Sequence, residues 1–364
     1  MRILVLGAGG FIGSNLTEHL LAATDHRVPA LDDDDEKVLD VRNTAGRLAF
    51  YPCDIRQNQA LVSRLVGEAD LLIDLIAYAN PSVYVSRPLE VVELNFFQNL
   101  RLVEECIRQQ KRLIQFSTCE VCGMSAGQRE PFCEDTTNLT LGPVRNQRWI
   151  YACAKELLER IIYAHGQQGS LDFTIVRPFN FVGPKIDYLV KSETMGGPRV
   201  FPHFLGALLQ GGPLRLVDGG HAHRSYTHIS DAVRAIQLVT DRPDACHNEI
   251  INIGNPANGT TIRALAHLMR EVFEEVTGRP AASPIEDIVG AQFYGPGYQD
   301  CDWRIPNVDK IRALGWVPRL DLRQTFRETI VWYLTRIASS PPSELPSYLR
   351  RGVPAPSLGT AAAA

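Results

Sequence analysis

The chain predicts an α/β fold: a doubly wound parallel sheet with a smaller C-terminal lobe interleaved with it. Three observations lead there. Short, almost wholly apolar strands alternate with helical periodicity over the first half, the pattern of strands covered on both faces by crossover helices. A glycine-rich turn joins the first strand to the first helix. Past about residue 180 the alternation gives way to loops rich in Gly and Pro, at 183–199 and 211–224.

Element by element, RILVLG is a strand and FIGSNLTEHLLAA an amphipathic helix. HRVPALD and LAFYPCD are strands that each close on Asp, and ADLLIDLIA is a strand buried on both faces. PLEVVELNFFQNLRLVEECIRQ is a long helix and RLIQFST another buried strand. RWIYACAKELLERIIYAHG is a helix and LDFTIVRPFN a strand. A late strand, EIINIGN, precedes two helices near 260–276 and 321–337. Residues 1–178 and about 226–254 form the sheet domain, and about 179–225 and 255–338 form the lobe. Residues 339–364, rich in Pro, Ser and Ala, form a tail expected to lack fixed structure.

Composition narrows the function. The net charge is -4 and no basic stripe interleaves with aromatics, so no nucleic-acid partner is expected. There is no run of 18 apolar residues and no signal-peptide pattern at the start, so the expectation is a cytoplasmic protein with no membrane segment. Eight scattered cysteines lack framework spacing and read as reduced thiols. Cys119 and Cys122 make a C-x-x-C, but no second pair or spaced histidines accompany it, as zinc would require. His221, His223 and His228 read as a loop cluster rather than a metal site, having no carboxylate ligand beside them.

GAGGFIG sets Gly7, Gly10 and Gly13 in the pattern G-x-x-G-x-x-G, directly after a strand and opening a helix at Phe11 and Ile12. Glycines let backbone approach a pyrophosphate, and the helix N-terminus offers free N–H groups. Asp32 closes the second strand, where a carboxylate binds ribose hydroxyls in a Rossmann fold. It begins the run DDDDE, which would repel a 2′-phosphate, so NAD is favoured over NADP. Asp54 and Ile55, after the third strand, are candidate adenine-side contacts. A strand-end cap explains Asp54 as well.

YACAK places Tyr151 and Lys155 four residues apart, on one helix face. With the glycine turn and a strand ending in Ser117-Thr118, this combination resembles the extended short-chain dehydrogenase/reductase superfamily over roughly residues 1–335. The resemblance implies that Tyr151 takes a proton from a sugar hydroxyl while hydride passes to NAD⁺. Lys155 and the cationic nicotinamide would depress the tyrosine's pKa from about 10 to about 7, roughly 4 kcal/mol of differential stabilisation.

RWIYACAKELLERIIYAHG, LDFTIVRPFNFVGP, LRLVDGG and YGPGYQD resemble the nucleotide-sugar decarboxylase branch. STCEV, QRWIYACAK and RIP at 304–306 are closer to its UDP-apiose/UDP-xylose synthases. That resemblance implies UDP-glucuronate as substrate, decarboxylated through a C4 ketone to UDP-xylose, or contracted by retro-aldol cleavage and re-closure to UDP-apiose. Cys119 stands where simple decarboxylases carry serine. A thiol titrates near about 8.5 and can exchange protons where a serine hydroxyl cannot. Cys119 is therefore read as a protonated proton carrier with its pKa raised by Glu120. Glu120 is read as the base for ring opening, and Thr118 as a partner of the C4 oxygen.

A nucleotide sugar's negative charges call for arginines. The resemblance assigns Arg224 to the carboxylate or diphosphate, Arg199 and Arg304 to diphosphate and ribose, Asn180 to phosphate or sugar, and Tyr84 to the sugar. It also implies a homodimer joined through two helices per subunit, which the apolar faces of 89–109 and 148–166 would suit. Ala79 departs from the plant synthases, which carry a second cysteine there, and Cys122 replaces a family tyrosine. A plain UDP-glucuronate decarboxylase, or an epimerase or dehydratase on another nucleotide sugar, is the alternative. An NAD-sensing scaffold without activity would not be expected to keep both the dyad and Glu120.

Overall fold

The computed structural model describes residues 1–39, 41, 46–125, 127, 129–186 and 199–339. All of the expected tail except Ser339, and most of the 183–199 loop, lie outside them. Seven parallel strands form the central sheet: β1 (Ile3–Leu6), β2 (Val28–Asp32), β3 (Leu48–Pro52), β4 (Leu71–Asp74), β5 (Arg112–Phe116), β6 (Phe173–Pro178) and a last strand, Glu249–Ile253. Their order across the sheet is β3-β2-β1-β4-β5-β6 and then the Glu249–Ile253 strand. The order reverses between β1 and β4, and ligands bind at such a switch, outside the carboxyl ends of the strands.

Strands β1 and β4 are buried at every position, which is why they read as continuous apolar runs rather than alternating ones. One core cluster joins a face of the sheet to the lobe: Ile3, Val5 and Leu16 belong to it together with Phe201, Leu265 and Phe326. The other covers the opposite face, with Leu4, Leu6, Leu72, Leu102 and Leu158. The lobe's two late helices are Ile262–Thr277 and Leu322–Ala338. The second begins with a capping box between Asp321 and Gln324, which satisfies two otherwise orphaned N–H groups.

The long helix expected over 89–109 is not continuous. Pro88–Val92 runs into a π-helical turn at Glu93–Gln98 before α-helix resumes at Asn99–Arg108. The extra residue in that turn accompanies two buried asparagines. Asn95 clasps the backbone of Tyr78 through both its amide oxygen and nitrogen, and Asn99 donates to the Leu94 carbonyl. Such bulges are frequent at functional sites, and this one faces the loop that follows β4.

Candidate active site

The glycine turn is packed too tightly for side chains. A Cβ on Gly13 would sit 2.1 Å from the Gly7 carbonyl oxygen, and one on Gly9 would sit 1.7 Å from the Asp34 carbonyl oxygen. Gly7 also has φ +79°, a left-handed conformation that L side chains resist. The helix Phe11–Ala23 starts at Gly10 with no side-chain cap and no acidic residue in its first turn. Its leading N–H groups and positive end therefore face the crevice unopposed. Asp32 accepts a hydrogen bond from the Gly9 N–H at 2.9 Å. Burial, and then Asp33, push its carboxyl up to about 7. These residues fit a dinucleotide: backbone for the diphosphate, a carboxylate at the strand end for the ribose.

Gly7, Gly10, Phe11, Ile12 and Gly13 line a cavity of about 560 Å³, and Thr118, Cys119, Glu120 and Tyr151 line the same cavity. Thr118 caps the short turn Cys119–Cys122 by accepting from the Glu120 N–H, and its side chain favours the ionised form of Tyr151. The Tyr151 ring stacks on Tyr84, with centroids 4.4 Å apart and planes 10° apart. Lys155 lies behind the cavity wall, 1% exposed, donating to the Phe116 carbonyl at 3.0 Å and reaching Asn99 at 3.4 Å. Burial lowers its pKa to about 8.

Three corrections to the expected electrostatics follow. In the protein without dinucleotide, Tyr151's pKa is raised, by burial first and by Glu120 second, so the expected depression would rest on the nicotinamide charge. The lysine expected to depress it is spent on a backbone carbonyl. Glu120 is not an open base. Arg148 grips it with two bonds, Nη1 to Oε2 at 2.6 Å and Nη2 to Oε1 at 2.9 Å, and Arg304 adds a contact at 3.4 Å. Against the opposing effect of burial, the two arginines hold its carboxyl below the usual range. The Cys119 thiol is pushed up, as expected, but burial is the largest cause; Arg304 opposes it and Glu120 contributes less than either.

On the substrate side, Tyr84, Asn180, Arg199, Arg224 and Arg304 all line the cavity. Arg224 pairs with Asp300 at 2.6 Å. Arg304 keeps Nε and Nη2 buried without partners among the described residues, two donors free for an anionic or hydroxylic ligand. Arg199 lies over the Phe11 ring at 5.6 Å. Asn180 adopts φ +38° and donates to the Ser225 carbonyl.

Residues 3–254 match the model of the NAD dependent epimerase/dehydratase family. The chain belongs to that family. It is 40% identical over 362 residues to UDP-D-apiose/UDP-D-xylose synthase 2 of Arabidopsis thaliana, covering 93% of each chain. It is 41% identical over 354 residues to the UDP-D-apiose/UDP-D-xylose synthase of Oryza sativa subsp. japonica, covering 91% of this chain and 89% of that one. Among solved structures, the PbgP3 protein of Burkholderia pseudomallei superimposes with a TM-score of 0.82 at 32% identity, covering 97% of this chain and 99% of that one. A dTDP-glucose 4,6-dehydratase from Bacillus anthracis in complex with NAD, at 22% identity and a TM-score of 0.74, shares the fold.

Four residues expected at the cofactor, Asp32, Lys155, Asp54 and Ile55, are not on the wall of this epimerase/dehydratase cavity. Asp54 is taken by its near neighbour Arg56 at 2.7 Å, and Ile55 is buried in the core among Leu4, Leu6 and Leu31. The C-x-x-C thiols are both buried and free, and Cys122 packs with Val121, Phe132 and Phe179. Among the described residues no group of three or more His, Cys, Asp or Glu is arranged to hold a metal. Sequence reasoning missed Arg148, Asp300, Tyr294 and Tyr298, all of which line the cavity. Arg148 precedes Tyr151 by three residues, a helical spacing that brings both to one face; that signal was present and unused. The stacked pair Tyr294 and Tyr298 and Asp300 are the ends and middle of YGPGYQD, a stretch read for its resemblance without a role being given to any of its residues.

Proposed function

We propose that this enzyme converts UDP-glucuronate to UDP-apiose, UDP-xylose or both, recycling one NAD. The observation that carries the reading is the single cavity whose wall holds Thr118, Cys119, Glu120 and Tyr151 beside Arg148, Arg224 and Arg304. It is supported by the 40–41% identity to synthases bearing that name. When bound on the glycine turn and Asp32, the dinucleotide supplies a hydride acceptor and a positive charge to the cavity.

The chain's own residues do the rest. Tyr151 takes the proton of the sugar's C4 hydroxyl, with Thr118 as its hydrogen-bond partner. Oxidation at C4 leaves a ketone β to the C6 carboxylate, so CO₂ departs and the ketone stabilises the resulting enolate. For ring contraction the C2–C3 bond breaks by retro-aldol cleavage, leaving an aldehyde at C2 and an enediolate over C3 and C4; C4 then bonds to C2, which closes a five-membered ring and leaves C3 as an exocyclic aldehyde to be reduced. Glu120, held ionised by Arg148, accepts hydrogen bonds from the ring hydroxyls and fixes their orientation; its low proton affinity leaves proton delivery to the Cys119 thiol. Arg224 and Arg304 offset the substrate's negative charge.

The enzyme is cytoplasmic and works as a homodimer. Leu89 and Phe97 on one helical segment, and Leu157 and Tyr163 on the helix Ile150–Gln167, are exposed apolar side chains of the kind a helical interface covers. No helix of the described residues is long and apolar enough to cross a membrane.

NMR of the products formed from UDP-glucuronate and NAD⁺ tests the reaction. A branched pentose or its cyclic phosphate supports ring contraction. Xylose alone reduces the enzyme to a decarboxylase, and retained CO₂ rejects both. Cys119→Ser is expected to lower branched-sugar output more than xylose output; equal loss removes the thiol's special role.

A further inference from the structure

Behind the catalytic wall lies a buried polar network that the chemistry above does not use. Asp74 on β4 and Gln115 on β5 are register partners, and with Asn99 and Lys155 they are at most 1% exposed. Gln115 Nε2 donates to Asp74 Oδ2 at 2.9 Å and approaches Asn99 Oδ1 at 3.2 Å. The same Asn99 oxygen lies 3.4 Å from Lys155 Nζ. Asp74 Oδ1 accepts from the Ile76 N–H at 3.0 Å.

A carboxylate this deep costs several kcal/mol unless an opposite charge faces it. No arginine is hydrogen-bonded to Asp74 among the described residues. Burial pushes the Asp74 carboxyl up, and the charge that opposes this and favours its ionised form is Lys155. From the lysine's side, the acids in range are Asp74 and, on its own helix, Glu159. Glu159 is already held by two bonds from Arg177. Cys106, which faces Asp74 from the helix Asn99–Arg108, has its thiol pushed up by burial and stays neutral. Asp74 is thus the one acid near Lys155 that is not neutralised by an arginine.

We propose that Asp74 is a positioning residue, the remote counter-ion of Lys155, joined to it through Gln115 and Asn99. A direct ion pair would draw the ammonium toward the sheet. Two amides in between leave it on the Phe116 carbonyl, at the back of the tyrosine's wall, and still supply the negative charge that stabilises it. Burial opposes the charged amine, and without Asp74 it loses its largest support. Lys155 then gives up its proton at lower pH, and the wall behind Tyr151 loses positive charge.

The chain has six lysines, few enough for lysine labelled with ¹³C at Cε to be followed by NMR in the full-length protein. The Lys155 signal is assigned by its loss in Lys155→Met. Asp74→Asn is expected to lower the Lys155 titration midpoint by about one pH unit or more, and to move the alkaline fall of kcat to lower pH by a similar amount. A midpoint unchanged in Asp74→Asn overturns the proposal, whatever happens to turnover. The NMR readout needs no substrate, so it stands or falls separately from the choice of nucleotide sugar. Should Asp74→Asn fail to fold, Gln115→Met keeps both charges and removes the relay. It is expected to lower the midpoint by a smaller amount, and an unchanged or raised midpoint there overturns the coupling.

Discussion

The dinucleotide wall of the cavity, Gly7 and Gly10 to Gly13, comes from one turn and the start of the helix it opens, with Asp32 behind it at the end of the next strand. The sugar wall is assembled from Thr118–Glu120, Arg148, Arg224, Asp300 and Arg304, residues that meet only after the whole sheet and lobe have formed. The first wall is made of backbone and needs glycines where a Cβ would collide. The second is made of ionised side chains that hold one another: Arg148 and Arg304 on Glu120, Arg224 on Asp300. A local wall can be damaged at one atom and leave the rest intact, whereas an ionic cluster answers as a unit.

Tyr151 belongs to neither wall alone, and its replacement should have the largest effect. Tyr151→Phe removes the proposed proton acceptor but keeps the ring that stacks on Tyr84. Turnover is expected to fall about 10²–10⁴-fold, with NAD affinity unchanged by calorimetry. A variant that keeps most of its turnover would mean that the proton leaves the sugar by another route.

Arg148→Leu sharpens the contrast on the sugar side. Arg148 is nearly inaccessible and Glu120 nearly so, and removing one partner of a buried pair leaves an uncompensated charge, costing about 3–5 kcal/mol. The melting temperature is expected to drop and Glu120 to take up a proton at higher pH, since the arginine is what holds its carboxyl low. NAD affinity in the variant that remains folded should be preserved. If NAD binding and stability fell together, the two walls would not be independent.

Gly13→Ala makes the matching cut in the dinucleotide wall. Its Cβ has only 2.1 Å to the Gly7 carbonyl oxygen, so the turn must open. Strain of about 1–3 kcal/mol predicts NAD affinity weaker by about tenfold or more. The Glu120–Arg148 cluster should remain intact, as read from the acid side of the thermal-stability profile.

That contrast also explains what could be read from the chain. All seven strands of the sheet and the helices Phe11–Ala23 and Ile150–Gln167 follow from apolar runs and helical periodicity; the inner strands are buried on both faces, which leaves no other pattern for a parallel strand, while the edge strand β3 is only partly buried. The glycine turn was legible because its reason is local. The π-turn at Glu93–Gln98 was not, because the clasp of Asn95 on Tyr78 joins residues that periodicity treats as unrelated. Glu120 was picked out as a site residue but not as a clamped one. Its partner Arg148 stands 28 positions away, and a sequence gives the sign of a charge without saying which charge will face it. Asp54 also has a charged partner, Arg56, one close enough in sequence to have been weighed.

The smallest expected effect tests the dinucleotide wall by pH alone. Asp32's carboxyl is raised in the folded protein from its ordinary range near about 4 to about 7. The folded state therefore holds a proton that the unfolded chain has already released between those values. Stability without dinucleotide is expected to fall as pH rises from about 4 to about 7, because over that window the native state binds more protons than the unfolded one. Ribose hydroxyls are best accepted by the ionised carboxylate, so NAD affinity should run the other way and strengthen a few-fold, at most about tenfold, between pH 6 and pH 8. Asp32→Asn should flatten both slopes, because the amide does not titrate. Opposite slopes that vanish together in this variant would tie the Asp32 carboxyl to the dinucleotide. If the wild-type affinity were flat across that range, Asp32 would not be meeting the ribose as a carboxylate, and the dinucleotide would be held by backbone alone.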